Sequence, residues 1–222
     1  MRYDRKVLPL LLISAWAAST AWIEPVHAAE ASIMGILNGS RLSSESTSLR
    51  QSSDAYLSFG AAASYEWWLY PTTNTPWLTL ETGLAYVSRE IGYYPETDRF
   101  SQLQLSVLLR RKWRFLSVGA GTYAGLGLGG IESSTRGSLT YEDSGIKRFD
   151  FGWQAALGFH LSPWGKYNKE GHPNLLIEGR FLKSILDASA DSNVQKKFVE
   201  LQIMAGVRFC LARGVFDCTP IN

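Results

Sequence analysis

Carboxylates and guanidinium groups recur in this chain at positions that alternate in step with small or polar residues. Glu66 shares its parity with Ser58, Gly60, Ala62 and Ser64, and Glu81 with Gly83. Arg110 shares it with Gln102, Gln104 and Ser106, Glu178 with Arg180, and Glu200 with Gln202, Gly206 and Arg208. Exposed to water, such carboxylates can do acid–base work. Gathered inside a low-dielectric interior, the two signs must instead neutralise one another, because an unpaired buried charge is very costly. The near balance of signs favours the second chemistry, a network of ion pairs with a structural role. A narrow ion pathway is its functional counterpart.

Nucleophilic chemistry would need a histidine beside a serine and an acid. Of the three histidines, His160 and His172 lie downstream of the N-terminal segment, and Ser162 is close to His160. No acid completes the arrangement, and no Gly-x-Ser-x-Gly elbow is present. The run 125–130 has glycines spaced like a phosphate loop but no Lys-Ser/Thr partner, so it reads as a Gly-rich strand end. Asp98, Glu142, Asp143 and Asp191 fall in polar connections, where acids are ordinarily just solvated. Cys210 and Cys218 are the two cysteines. They are a poor zinc site without a nearby histidine, but they can pair in an oxidising compartment. The pattern calls for no metal and no cofactor. The formal charge of +2 and the lack of a basic run give no argument for nucleic acid.

The elements that must position these groups are strands. Residues 56–70 place Leu57, Phe59, Ala61, Ala63, Tyr65, Trp67 and Leu69 on one face and the small residues with Glu66 on the other. The same period of two runs through 77–88, 100–110, 116–126, 149–159, 175–181 and 199–209. Residues 31–39 give a weaker first strand of ambiguous register. That makes about eight strands. Connections near 71–76, 111–114 and 162–173 are read as the turns, and those near 40–54, 89–99, 130–147 and 187–196 as the polar loops. Consecutive hairpins then collect the long loops at one end and the short turns, with both termini, at the other.

The chain opens with Arg2, Arg5 and Lys6, an apolar stretch from Val7 to about Ala18, and Val26-His27-Ala28. This reads as a secretory signal cleaved after Ala28, since the apolar run is shorter than the roughly 20 residues that span a bilayer. Residues 1–28 are therefore expected to be a signal peptide, 29–209 a single barrel and 210–222 a short tail.

Two features put the apolar face outside. The ionisable face is crowded with Gly, Ala and Ser, which weaken an exposed strand but fit the inside of a narrow barrel. Trp67, Trp68, Trp77, Trp113 and Trp164, with Tyr70 and Tyr167, flank the short turns, as an interfacial aromatic girdle would. Tyr86, Phe100, Phe149 and Phe151 are candidates for the opposite girdle. Tyr93, Tyr94 and Tyr141 fall among the polar loops.

Three local patterns carry a resemblance: Phe149-Asp150-Phe151-Gly152 entering a strand after the longest polar loop, Glu178-Gly179-Arg180-Phe181, and Ala205-Gly206-Val207-Arg208-Phe209. In this order the chain resembles the small eight-stranded outer-membrane β-barrels, including OmpA-like and OmpX-like transmembrane domains. The resemblance implies an eight-stranded antiparallel up-and-down transmembrane β-barrel in the cell outer membrane of a Gram-negative-type envelope. It implies outer-membrane lipid and lipopolysaccharide as surroundings and the barrel assembly machinery as a partner. It names no ligand for the loops. These barrels usually end at the terminal aromatic, whereas here the chain runs on past Phe209. The expected role is non-enzymatic: structural, loop-displaying, or that of a narrow pore. A lipid A-modifying enzyme and a soluble lipocalin-like binder are the alternatives.

Overall fold

In the computed structural model the described residues are 29–44, 54–69, 78–93, 96–113, 115–141, 146–161, 173–189 and 196–211. They form β1 (Ala29–Ser44), β2 (Asp54–Trp68), β3 (Leu78–Tyr93), β4 (Glu96–Lys112), β5 (Leu116–Ser133), β6 (Gly137–Leu139), β7 (Phe149–Leu161), β8 (Asn174–Ser184) and β9 (Lys196–Cys210). Residues 1–28 and 212–222, expected to be the signal and most of the tail, lie outside the described residues.

Neighbouring strands pair antiparallel in the order β4-β3-β2-β1-β9-β8-β7-β5, and β4 also pairs with β5. The eight long strands thus close into a barrel. The short β6 only extends a hairpin at the end of β5, through Ile131↔Leu139. Closure is sealed between first and last strands, with Ile33 opposite Val207 and Ser40 opposite Glu200. A closed ring gives every strand two hydrogen-bonding partners, which hydrocarbon demands because it offers none to an open edge.

The strands extend further than the alternating segments suggest. β1 continues to Ser44, β3 to Tyr93 and β5 to Ser133, and β4 begins at Glu96. Much of 89–99 and 130–147, expected as loops, is therefore ladder. Their polar side chains hid the period because, at that height, the outer face is polar too.

The apolar face points out. Phe59 is 73% exposed, Leu57 67%, Ile33 63% and Leu201 56%. Glu66, Glu81, Arg110, Glu178 and Glu200 point inward and are buried. The adjacent strands β4 and β5 approach closely: at Gly121 a Cβ would collide with the Val107 carbonyl oxygen of β4.

Two apolar clusters also lie inside. Met34, Ile36, Ala62, Val87, Leu176 and Met204 line the wall around β1. Met34 and Ile36 therefore face the lumen while Ile33 faces outward, which explains why the register of 31–39 was ambiguous in sequence. Leu42, Ile91, Phe100, Ile131, Ile146, Ala188 and Phe198 form a cap at the loop end, with Leu139 and Tyr141 packed against it. Phe100, expected on the outer girdle, is 4% exposed and belongs to this cap. It shares the inward parity of Gln102 and Gln104. Tyr141, expected among the loops, is half-buried under the same cap.

An outward Leu201 predicts that Leu201→Lys impairs membrane insertion, at a cost of about 2–4 kcal/mol near the midplane. Urea titration of folding into lipid vesicles measures it. Insertion at the wild-type level would mean that the faces are reversed.

Candidate functional site: the ionic interior of the barrel

The inward side chains stack in tiers along the barrel axis. Nearest the short turns, Lys112 Nζ lies 2.5 Å from Glu30 Oε2 and 2.9 Å from Glu66 Oε1. Arg208 Nη1 lies 3.1 Å from Glu30 Oε2 and 3.0 Å from Glu66 Oε2. Thr79 donates its hydroxyl to Glu66. His160 sits beside this tier, with Nε2 3.0 Å from Ser117 Oγ and Nδ1 3.5 Å from Arg208 Nη1.

The second tier is a closed ring of four charges. Arg110 Nε is 2.6 Å from Glu81 Oε2, and Arg110 Nη2 is 2.6 Å from Glu178 Oε2. Arg180 Nη2 is 2.6 Å from Glu81 Oε1, and Arg180 Nε pairs with Glu178. Each cation meets two anions and each anion two cations. The ring joins β3 and β4 to β8 across the lumen. Arg208 Nη2, 3.9 Å from Glu81 Oε2, links it to the first tier.

The third tier centres on Arg89. Its Nη2 lies 3.0 Å from Asp150 Oδ2 and also pairs with Glu200. Tyr123 donates to Asp150 Oδ2 at 3.0 Å, and Ser184 donates to the other oxygen. Gln104 and Gln202 each donate to Glu200 Oε2 at 3.3 Å. Space for Tyr123 comes from Gly152, where a Cβ would sit 2.7 Å from the phenol ring. Above, the Arg89 guanidinium stands 4.3 Å from the centre of the Phe198 ring. The ring supplies a cation–π contact and begins the apolar cap.

Glu66, Glu81, Arg110, Glu178, Arg180 and Arg208 thus meet in the lower two tiers, and Glu200 joins the third. Glu30, Arg89, Lys112, Asp150 and Tyr123 were not in the expected network. The signal for them was parity: Arg89 continues Glu81, Gly83 and Val87, and Lys112 continues Arg110 into a segment read as a turn.

Outside, Trp67 packs edge-on to Tyr65 with centroids 4.8 Å apart. Trp113 is 45% exposed and carries the Arg111 guanidinium 5.1 Å from its ring centre. The side chains of Trp68, Trp77, Trp164, Cys210 and Cys218 lie outside the described residues, as do Ser162, His172, Glu142, Asp143 and Asp191. Asp98 pairs with Arg136 at 3.5 Å. Among the described residues no group of three or more His, Cys, Asp or Glu gathers as a metal site.

A closed barrel with lipid-facing apolar residues and a charged interior is the build of an outer-membrane protein. The profile of one protein family, described as an outer membrane protein beta-barrel domain, matches residues 26–190. The chain belongs to this family. It is an integral protein of the cell outer membrane. Comparison with curated proteins gives no match. Among solved structures the chain is similar to Ail, the attachment invasion locus protein of Yersinia pestis, at 17% identity, covering 81% of this chain and 98% of that one, with a TM-score of 0.41. It is also similar to OprG from Pseudomonas aeruginosa, at 12% identity, 85% and 97% coverage and a TM-score of 0.44. Neisserial surface protein A is similar at 12% identity, 81% and 96% coverage and a TM-score of 0.48. The strand that closes the ring, β9, lies beyond the matched stretch.

Arg180→Leu leaves Glu81 and Glu178 to share Arg110 and opens the ring. Removing one partner of a buried ion pair costs about 3–5 kcal/mol, so the denaturant midpoint of the folded barrel in detergent should fall clearly. An unchanged midpoint would contradict the ring's structural role.

Proposed function

We propose that this outer-membrane barrel is a non-enzymatic, non-conducting scaffold that holds its long loops at the cell surface. The observation that carries the reading is the ring Arg110–Glu81–Arg180–Glu178, which crosses the lumen beneath a second ionic tier and an apolar cap. Arg89 and Arg110 are 0% exposed. An ion crossing this interior would have to displace paired charges and then pass Phe198, Phe100 and Ile131. An eight-stranded barrel is just wide enough for side chains to fill it, and these side chains fill it. Ser117 and His160, the one Ser–His pair among the described residues of the interior, face Arg208 and Arg110 rather than an acid placed to orient the imidazole. This supports the non-enzymatic reading over lipid A modification.

In the same reading residues 1–28 direct export, the assembly machinery inserts the barrel, and the Trp67 and Trp113 end faces the periplasm as an interfacial girdle. Recognition would reside in the loops, since binding residues concentrate on loops held by a rigid frame.

Planar-bilayer recording tests the reading. Folded protein should give no stable conductance steps at moderate voltage. Reproducible steps from the wild-type protein, lost with the heat-denatured sample, would replace the scaffold with a pore.

A further inference from the structure

Two ladders of the barrel are interrupted near the loop end. Between β2 and β3 the pairing passes from Gly60↔Val87 to Ala55↔Ile91, so Tyr56–Phe59 on β2 face Ser88–Glu90 on β3 out of register. Between β4 and β5 it passes from Ser101↔Leu128 to Arg99↔Glu132, so Phe100 alone faces Gly129, Gly130 and Ile131. Ser88 and Ser101 are register partners on β3 and β4, which puts both interruptions at one level. The β3–β4 pairing itself runs without a shift from Leu78↔Arg111 to Tyr93↔Glu96. Ser88–Tyr93 and Glu96–Ser101 therefore form one continuous ribbon with an interruption on each flank. The opposite wall has no such feature: β1 pairs with β9 without a shift from Glu30↔Cys210 to Ser44↔Lys196.

Both flanks are built to bend. A bulge leaves residues unpaired and bends its strand. On the β2 flank, two β3 carbonyls take side-chain donors. Ser58 Oγ donates to Ser88 O, as does Asn38 Nδ2 at 3.2 Å, and Ser40 Oγ donates to Glu90 O at 3.2 Å. A side-chain donor follows a moving carbonyl by turning about its own bonds, which a ladder amide cannot do. On the β5 flank, Gly129 has a φ of 67° and a Cβ there would meet nothing within 4 Å. Two successive glycines leave the backbone free to change its dihedrals.

The ribbon is held from strands with which it shares no ladder. Arg89 Nη2 lies 3.0 Å from Asp150 Oδ2 on β7 and pairs with Glu200 on β9. The Phe198 ring on β9 meets the Arg89 guanidinium at 4.3 Å and the Phe100 ring at 6.0 Å. Ile91 and Phe100 of the ribbon join Leu42 and Phe198 of the opposite wall in the apolar cap. In the sheet β2 and β1 stand between β3 and β9.

We propose that this ribbon is a hinged flap over the barrel mouth, which swings on the two interruptions as one unit and is latched shut by Arg89. When it is shut, Arg89 neutralises Asp150 and Glu200 beneath the cap. When it is open, Phe198 and the two carboxylates face the aqueous mouth. The Arg110–Glu81–Arg180–Glu178 ring lies nearer the short turns than both interruptions, so it stays closed in either position. The flap goes beyond the scaffold reading and does not depend on it.

Double electron–electron resonance on the protein in lipid nanodiscs tests the flap, with Cys210 and Cys218 replaced by serine. One pair of nitroxides, on Arg99→Cys and Val199→Cys, spans the mouth from ribbon to opposite wall. A second pair, on Leu105→Cys and Ile203→Cys, spans the barrel below the interruptions. The wild-type latch should give one short mouth distance, with an open population of at most about 10%. Arg89→Met should raise the ratio of open to shut about a hundredfold, as for one partner lost from a buried ion pair, so that a longer mouth distance predominates. Glu200→Gln keeps Asp150 on Arg89 and should raise the ratio about tenfold. The lower distance should stay the same throughout, and Arg180→Gln in the ring should leave the mouth distance unchanged. Heat-modifiable gel migration verifies folding, and Glu200→Gln answers the question if Arg89→Met does not fold.

An unchanged mouth distance in the folded latch variants would overturn the proposal. So would an equal change in the lower pair, or an equal opening in Arg180→Gln, since either means that the whole barrel loosens. Failure of both latch variants to fold would make Arg89 a support of the entire barrel and overturn it too. Conductance is not read in this experiment, so its outcome is separate from that of the scaffold reading.

Discussion

Arg110 and Arg180 face Glu81 and Glu178 across the inside of a barrel, and none of the four has water to fall back on. Burying one such charge alone costs several kcal/mol even after relaxation. The ring is tolerable only because each group meets two of opposite sign at 2.6 Å or closer. That geometry exists only when β3, β4 and β8 are held opposite one another, which requires the sheet to close. Closure and charge pairing are thus mutually dependent. The hydrogen-bonded ring of strands sets the positions of the charges, and the charges tie together walls that share no backbone hydrogen bond.

The interior is not uniform along its axis. The two tiers nearest the short turns balance four acids, Glu30, Glu66, Glu81 and Glu178, against Lys112, Arg110, Arg180 and Arg208. The Arg89 tier differs, since one guanidinium serves both Asp150 and Glu200. The excess of anion there is met by neutral donors: Tyr123, Ser184, Gln104 and Gln202. Above it Phe198 and Phe100 belong to the apolar cap. A packed, charge-balanced interior beneath an apolar cap fits a rigid support for loops better than a conduit.

Most of the barrel is legible in the sequence because lipid and lumen impose opposite demands on alternate residues. Strand β7 satisfies that demand over its whole length and β9 over much of it, so their faces read directly: Phe149, Phe151, Trp153 against Asp150, Gly152, Gln154. The pattern fails where one of the two solvents changes. In β1, Met34 and Ile36 are apolar yet inward, because they pack on Ala62 and Met204, and the alternation is blurred. Beyond the hydrocarbon the outer face turns polar, so Arg89 and the first residues of β4 look like loop. Phe100 looks like a girdle residue although its parity places it in the cap. Lys112 and Glu30 escaped for a related reason, lying at strand ends where composition suggests turns. Which cation meets which acid could not be read at all, since pairing spans the lumen and depends on the stagger of strands around the barrel.

The account stands or falls on β9 having one face in lipid and the other in a packed interior. Nitroxide labels placed singly from 199 to 207 in the reconstituted protein measure this by their accessibility to oxygen, which concentrates in lipid, and to a water-soluble nickel chelate. The account predicts oxygen access at 199, 201, 203, 205 and 207, and access to neither reagent at 200, 202, 204 and 206. The opposite parity, or nickel access along the even positions, would contradict it.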